Sequence, residues 1–563
     1  MNRLGTGVVL SEAGRHAHCV VGVLCLGETL QHRPHEAEGS PGGGVGSGPE
    51  LGGLRNSTGV ESTGRLAGMS AERGSDTQDG GRPQVAWRVV VPAALAQAVA
   101  LTFGSFGYGY HRDELYFRML PPAWGYLDQP PLTPFFARLT THLADQPWAL
   151  RLPATVATAL SVVVIALICR ELGGGRGAQA LAAWGYAFAA LPLMLGHVLL
   201  TSTVDLLLLA LVVLAVLRAT GGSPRWWLAA GGIAGVATYN RLLVAVVVAG
   251  LVVGIAVLGP RSVFRSPSLW AGGALAVVVG LPNLVYQASH DWPQLSMGAA
   301  LADNNAGEVR SQLPYLLLVM LGPPLVAVWV TGIVWLLRRE RRPRVGYLVV
   351  GTGVLIAFTF ASGAQPHYPI HLLAVMYAAG CVPVAHWLAS RRALRAVAVG
   401  LLVVNAAVSC VLALPVVPLA SVGGTPLPDV GPLVADQVGW PRYADQVAAA
   451  YRGSALHPTE VITSNYGEAG AIARFGPALG LPRPVSGQNS LASVVRPADS
   501  STVVVMVGYQ LDEVAGLFAS CQVVDRLDNG VDVDNEEQGA PVAVCRDPSE
   551  PWAALWPRFH HLD

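Results

Sequence analysis

Charge is what this 563-residue chain has least of. Asp, Glu, Lys and Arg make up 13% of it, where a soluble domain carries about 25%. Apolar residues reach 52% and the mean hydropathy is +0.45, which excludes an ordinary globular enzyme and points to a polytopic membrane protein. Acidic and basic residues balance at 36 each, so no nucleic acid or other polyanion is expected as a partner. Cysteine is sparse as well. Cys19, Cys25, Cys169, Cys381, Cys410, Cys521 and Cys545 form no CxxC pair and no Cys/His metal spacing, which leaves a zinc-finger or redox reading without support.

Apolar runs dominate what is there. Residues 1–86 are the exception, rich in Gly, Ser, Glu and Arg. They are expected to form a disordered cytoplasmic segment, too poor in apolar surface to fold. Met69 opens a more ordinary start, so residues 1–68 read as an over-extended gene start. From residue 87 to 418, eleven apolar stretches approach the roughly 20 residues that a bilayer-crossing helix needs. They run over 88–108, 152–170, 179–196, 199–217, 227–240, 242–259, 270–288, 313–337, 346–361, 370–389 and 395–418.

The exits of the even-numbered stretches are basic: Arg170 and Arg176, Arg218 and Arg225, Arg261 and Arg265, the group Arg338 to Arg344, and Arg391, Arg392 and Arg395. By the positive-inside rule these turns are cytoplasmic. Loops 109–151 and 289–312 and everything after 418 then lie outside. Residues 419–563 are not membranous. Val461-Ile462-Thr463 and Val503–Val507 read as buried strands and Tyr466–Phe475 as a helix, which makes a small extracytoplasmic α/β domain. Cys521 and Cys545 both fall in it; a disulfide and two free thiols both fit.

The chemistry-bearing residues gather at the outer ends of the apolar stretches. Asp113 and Glu114 follow the first stretch. Asp128 and Gln129 precede Pro130-Pro131, which forbids an undisturbed helix and makes a rigid turn. Asp205 opens an apolar run, where a carboxylate must be paired or wet; a structural pairing with Arg151, on the same face, is the plainer alternative to a functional role. Arg241, His367 and Tyr368 sit at the same level. Arg and His there suit an anionic phosphate, while interfacial anchoring is the plainer alternative for each. His290-Asp291-Trp292-Pro293 opens the second outer loop.

Arg112-Asp113-Glu114-Leu115-Tyr116 and Gly125-Tyr126-Leu127-Asp128-Gln129-Pro130-Pro131-Leu132 resemble the first external loop of family 39 glycosyltransferases, the protein-O-mannosyltransferase-like group of the GT-C membrane fold. Leu150–Pro153, Arg170–Gly174, Pro224–Trp227, Leu281-Pro282-Asn283 and His290–Pro293 match in order, as do the tail segments Ser464–Gly470 and Ser486–Ser490. The resemblance covers about 88–545. It implies a mainly helical GT-C bundle and sugar transfer from a polyprenyl-phosphate donor to a protein, lipid or polysaccharide hydroxyl. It maps the presumed catalytic base onto Asp113, with Glu114 completing the acidic pair and Asp205 as a second characteristic Asp. Some relatives, the lipid A aminoarabinose transferases among them, carry Lys where this chain has Gln129, and others Asn-Lys where it has Asn240-Arg241. Substrate contacts are expected from Asp128, Gln129, Arg151, Asp205, Arg241, His367 and Tyr368, with Arg151, Arg241 and His367 candidates for the departing phosphate and a divalent cation on Asp113, Asp128 or Asp205 left open. The rival reading is a polytopic transporter or lipid flippase. Such proteins often carry internal repeats, and none is visible here.

Overall fold

The computed structural model describes residues 82–563. The expectations for the Gly-rich segment and for a start at Met69 lie outside the described residues.

Each of the eleven apolar stretches is helical. Six helices are long and apolar enough to cross a membrane singly: Trp87–Gly104, Pro147–Glu171, Thr201–Thr220, Pro267–Ser289, Ile370–Leu388 and Arg392–Ala413. Two more stretches are bent pairs, Arg176–Ala187 with Ala190–His197 (52°) and Pro293–Val319 with Pro323–Leu336 (75°). The remaining three, Trp226–Ala237, Leu243–Leu258 and Tyr347–Ser362, are shorter than a bilayer is thick. The sharper bend falls where Gly322 takes φ 101° ahead of Pro323-Pro324, a step that a helix cannot continue through.

The outer loop expected over 289–312 is a correction. Pro293–Val319 is one helix, begun by Pro293 at its first turn and carried by Ala, Leu, Glu and Gln, all good helix formers.

Thr201–Thr220 and Ile370–Leu388 are mostly buried at the centre of the bundle, while Pro267–Ser289 and Arg392–Ala413 turn Val277, Val278, Val285, Val397, Val403 and Val404 outward, as a lipid boundary requires. Close crossings use small residues. Gly332 lies against the Met376 carbonyl and Gly380 against the Val328 carbonyl, so a Cβ at either would collide with backbone. At one end of the bundle the buried carboxylate of Glu171 gathers Arg82, Arg170 and Arg218 at 2.9–3.0 Å. Exit arginines expected on one face therefore do meet.

The sheet lies in the C-terminal part: β1 (Glu460–Thr463), β2 (Val485–Ser486), β3 (Val503–Val507), β4 (Phe518–Arg526) and β5 (Pro541–Pro548), in the order β2-β1-β3-β5-β4. β1 runs parallel to β2 and β3; β5 is antiparallel to β3 and β4. Cys521 and Cys545 face each other across β4 and β5 and are bonded. Helices Trp440–Gly453 and Tyr466–Phe475 cover one face. A single apolar core runs from Leu115, Tyr116 and Phe117 of the first loop through Trp440, Ala469 and Ile472 to Val505 and Val507 of β3. The sheet domain is thus packed onto the loop that carries Asp113.

Candidate active site

The first loop becomes a short helix, Arg112–Met119, because its sequence caps itself. His111 Nδ1 accepts from the Asp113 amide and Glu114 reaches back to the His111 amide, a reciprocal capping box. Both Glu114 oxygens are then filled. Oε1 takes Arg151 Nε at 2.9 Å and the Leu199 amide at 3.0 Å; Oε2 takes Arg151 Nη2 and the His111 amide, each at 2.9 Å. Arg151 also donates to the Gly109 carbonyl and to Gln437. Both side chains of this pair are 0% exposed. Glu114 and Arg151, expected as catalytic and donor-side groups, are placed as a sealed clamp that joins the loop to the helix starting at Leu152, to residue 199 and to residue 437.

The Asp205–Arg151 pairing open from sequence is a correction: Arg151 is taken up by Glu114. Asp205 instead accepts from Asn240 Nδ2 at 2.7 Å, and its other oxygen lies 3.9 Å from Arg241 Nε. That second oxygen is buried and accepts no hydrogen bond from the described residues. Arg241 in turn reaches Ser202 Oγ (3.1 Å) and Thr201 Oγ1, and its guanidinium lies over the Tyr368 ring at 5.1 Å. Ser202 Oγ is 2.6 Å from His367 Nε2. Asp205, Arg241, His367 and Tyr368 therefore form one cluster at the start of Thr201–Thr220.

Asp113 and Asp128 form a second group beside it. Asp113 is half-buried and its Oδ1 accepts from the Tyr466 hydroxyl at 2.9 Å. Asp128 Oδ1 accepts from the Tyr116 hydroxyl (2.8 Å) and from Ser490 Oγ (3.0 Å), and Ser490 Oγ takes the Leu127 amide. The rings of Tyr116 and Tyr466 touch, with centroids 4.8 Å apart. The turn carrying Asp128 is stapled to the other group. The Leu132 amide donates to the Tyr239 carbonyl at 2.9 Å, and Thr133 Oγ1 donates to Asn240 at 2.8 Å. Gln129 is buried beside it, with an amide nitrogen that has no partner among the described residues.

Sequence reasoning gave no role to Tyr116, Tyr466, Ser490, Ser202 or Asn240. The tail signal was present all the same: Asn465-x-x-Glu468 is a capping box, and it starts the helix that presents Tyr466. Among the described residues no three His, Cys, Asp or Glu side chains are gathered to hold a metal ion. Asp113, Asp128 and Asp205 do not make such a set.

Burial pushes the Asp128 carboxyl up to about 6, against the lowering effect of the Tyr116 and Ser490 bonds. A raised carboxyl favours the folded state while protonated, so this contribution is present below the ordinary carboxylate range and is lost as pH rises through about 6. Asp128→Asn removes it. The melting temperature of the variant relative to wild type should therefore rise between pH 4 and pH 6.5. A difference that is flat with pH would show that Asp128 is not the titrating group.

Residues 128–286 match the family model described as dolichyl-phosphate-mannose-protein mannosyltransferase. The matched segment holds Asp128, Gln129, Arg151, Asp205 and Arg241. No curated protein matches the chain. Among solved structures, ArnT from Cupriavidus metallidurans bound to undecaprenyl phosphate is similar over 81% of this chain and 97% of its own, with 17% identity and a TM-score of 0.54. Its apo form gives 16% identity, the same coverage and the same TM-score. The architecture is that of the GT-C membrane fold, and residues 128–286 resemble the dolichyl-phosphate-mannose-protein mannosyltransferase family.

Proposed function

We propose that the protein moves a hexosyl or pentosyl unit from a polyprenyl-phosphate sugar to an acceptor hydroxyl, with inversion, at the extracytoplasmic end of the bundle. One observation carries this reading. Two half-buried carboxylates, Asp113 and Asp128, are held beside the Arg241 guanidinium and its partners Ser202 and His367, where the bundle meets the sheet domain.

The division of labour follows from the chemistry. Asp113 takes the proton of the acceptor hydroxyl. That oxygen forms a bond to the anomeric carbon as the bond from that carbon to the phosphate oxygen breaks on the opposite face. The polyprenyl phosphate leaves with the electron pair. A positioned base is worth about 10²–10⁴-fold. Arg241, oriented by Thr201, Ser202 and the Tyr368 face, supplies a charge-assisted donor for the departing phosphate. His367 orients Ser202, and Asp205 with Asn240 fixes the neighbouring backbone of Thr201. Gln129 contributes a neutral amide where some relatives carry Lys. The clamp of Glu114 and Arg151 acts on position alone.

Undecaprenyl phosphate bound to the ArnT relative supports a lipid-phosphate leaving group, and the basic exits gathered at Glu171 support an outer face opposite them. A transporter reading has no comparable support.

The test is turnover of polyprenyl-phosphate sugars of defined anomeric configuration by the full chain in proteoliposomes. The glycoside product should have the opposite configuration. A product of retained configuration, or no consumption of any such donor, would overturn the reading. For orientation, a reporter active only in the cytoplasm and fused after Asp563 should be silent; a bright signal would place the sheet domain on the other side.

A further inference from the structure

We infer that Tyr466, contributed by the sheet domain, is a positioning residue for Asp113: its hydroxyl occupies one carboxylate oxygen and leaves the other for the acceptor's proton. This rests on the reading of Asp113 as the base. Tyr466 Oη donates to Oδ1 at 2.9 Å, and among the described residues Oδ2 has no partner. A carboxylate free to turn about its Cβ–Cγ bond presents either oxygen in many poses. One fixed hydrogen bond selects a single pose, and orientation of a reacting group is a large part of what an active site supplies.

The phenol itself is held from all sides. Its ring lies against Tyr116 and under the Arg112 guanidinium, 4.7 Å from the ring centroid. Its amide donates to Gln488 Oε1 at 2.6 Å. The helix that carries it is capped by Asn465 and Glu468. That helix lies so close to the first-loop helix that a Cβ on Gly470 would come within 2.6 Å of Leu115 Cβ. The phenol stays protonated because burial pushes its titration well above the ordinary tyrosine range. It can therefore donate to the carboxylate throughout the working pH range. The touching Tyr116 donates its hydroxyl to Asp128, so each carboxylate takes a hydrogen bond from one of a packed pair of phenols, one from each part of the molecule.

The experiment is Tyr466→Phe in the full chain, reconstituted and assayed with a polyprenyl-phosphate sugar across pH, with melting temperature measured alongside. The ring and its packing persist; only the hydroxyl is lost. We expect kcat to fall about tenfold and KM for the donor to stay within about twofold. The acidic limb of the kcat/KM profile should move to higher pH, because the ionised carboxylate has lost a hydrogen bond. Wild-type kcat with an unmoved acidic limb overturns the assignment. So does a fall in rate that only tracks a reduced folded fraction, which is what packing alone would give. Asp113→Asn separates the two claims. If it keeps wild-type transfer, the base reading fails; if Asp113→Asn is dead but Tyr466→Phe is unaltered, the positioning role fails alone.

Discussion

Asp113→Asn should leave a folded, membrane-inserted protein with between about a hundredth and a ten-thousandth of wild-type turnover. The amide matches the carboxylate in size, and its oxygen can still accept from the Tyr466 hydroxyl, so the contact between the sheet domain and the first loop survives. The backbone bond to His111 is untouched as well. Only basicity is removed. Transfer from a radiolabelled polyprenyl-phosphate sugar, at matched expression and with an unchanged melting temperature, is the measurement. Turnover near that of wild type would mean that another group takes the proton and that the mechanism is wrong.

Arg151→Met should fail differently, by losing the fold. It strands the Glu114 carboxylate, 0% exposed, with its charge unanswered. Removing one member of such a buried pair costs about 3–5 kcal/mol. Gly109 and Gln437 lose a partner at the same time. The melting temperature in detergent should drop sharply and the folded yield with it. The double replacement Glu114→Leu with Arg151→Met should be less damaging than the two single losses summed, because it leaves no stranded charge on either side. A mild effect of Arg151→Met, with loss of donor binding, would return Arg151 to the substrate side.

The helices were legible because a bilayer demands long apolar runs and no other solvent does. All eleven stretches became helices, and the two strands and the tail helix fell at Val461–Thr463, Val503–Val507 and Tyr466–Phe475 as read. The turn was legible as well, since Pro130-Pro131 does interrupt the helix, and of the two states open to Cys521 and Cys545 the bonded one is found. Which charge answers which was not. Arg151 stands 37 residues from Glu114 and could as well have met Asp205 as far as sequence shows. A buried guanidinium takes whichever carboxylate the packing delivers, and the capping box of Arg112–Met119 delivered Glu114. Tyr466 and Ser490 were visible as tail motifs but without a task, since their partners lie 353 and 362 residues away. The connection over 289–312 was read only as a loop between two apolar runs, and its helix-forming Ala, Leu, Glu and Gln make it part of the helix Pro293–Val319.

Those long separations also put a clock on biogenesis. The first loop leaves the ribosome early, yet the groups that finish it come from near the chain's other end: Gln437 for Arg151, Tyr466 for Asp113, Ser490 for Asp128. At roughly 5–20 residues per second, the 353 positions between Asp113 and Tyr466 take roughly 20–70 s to synthesise. For that interval an unfinished loop waits without its C-terminal cover over Leu115 and Phe117, and a nascent chain stalled before Tyr466 carries Asp113 without its phenol and Asp128 with Tyr116 but without Ser490.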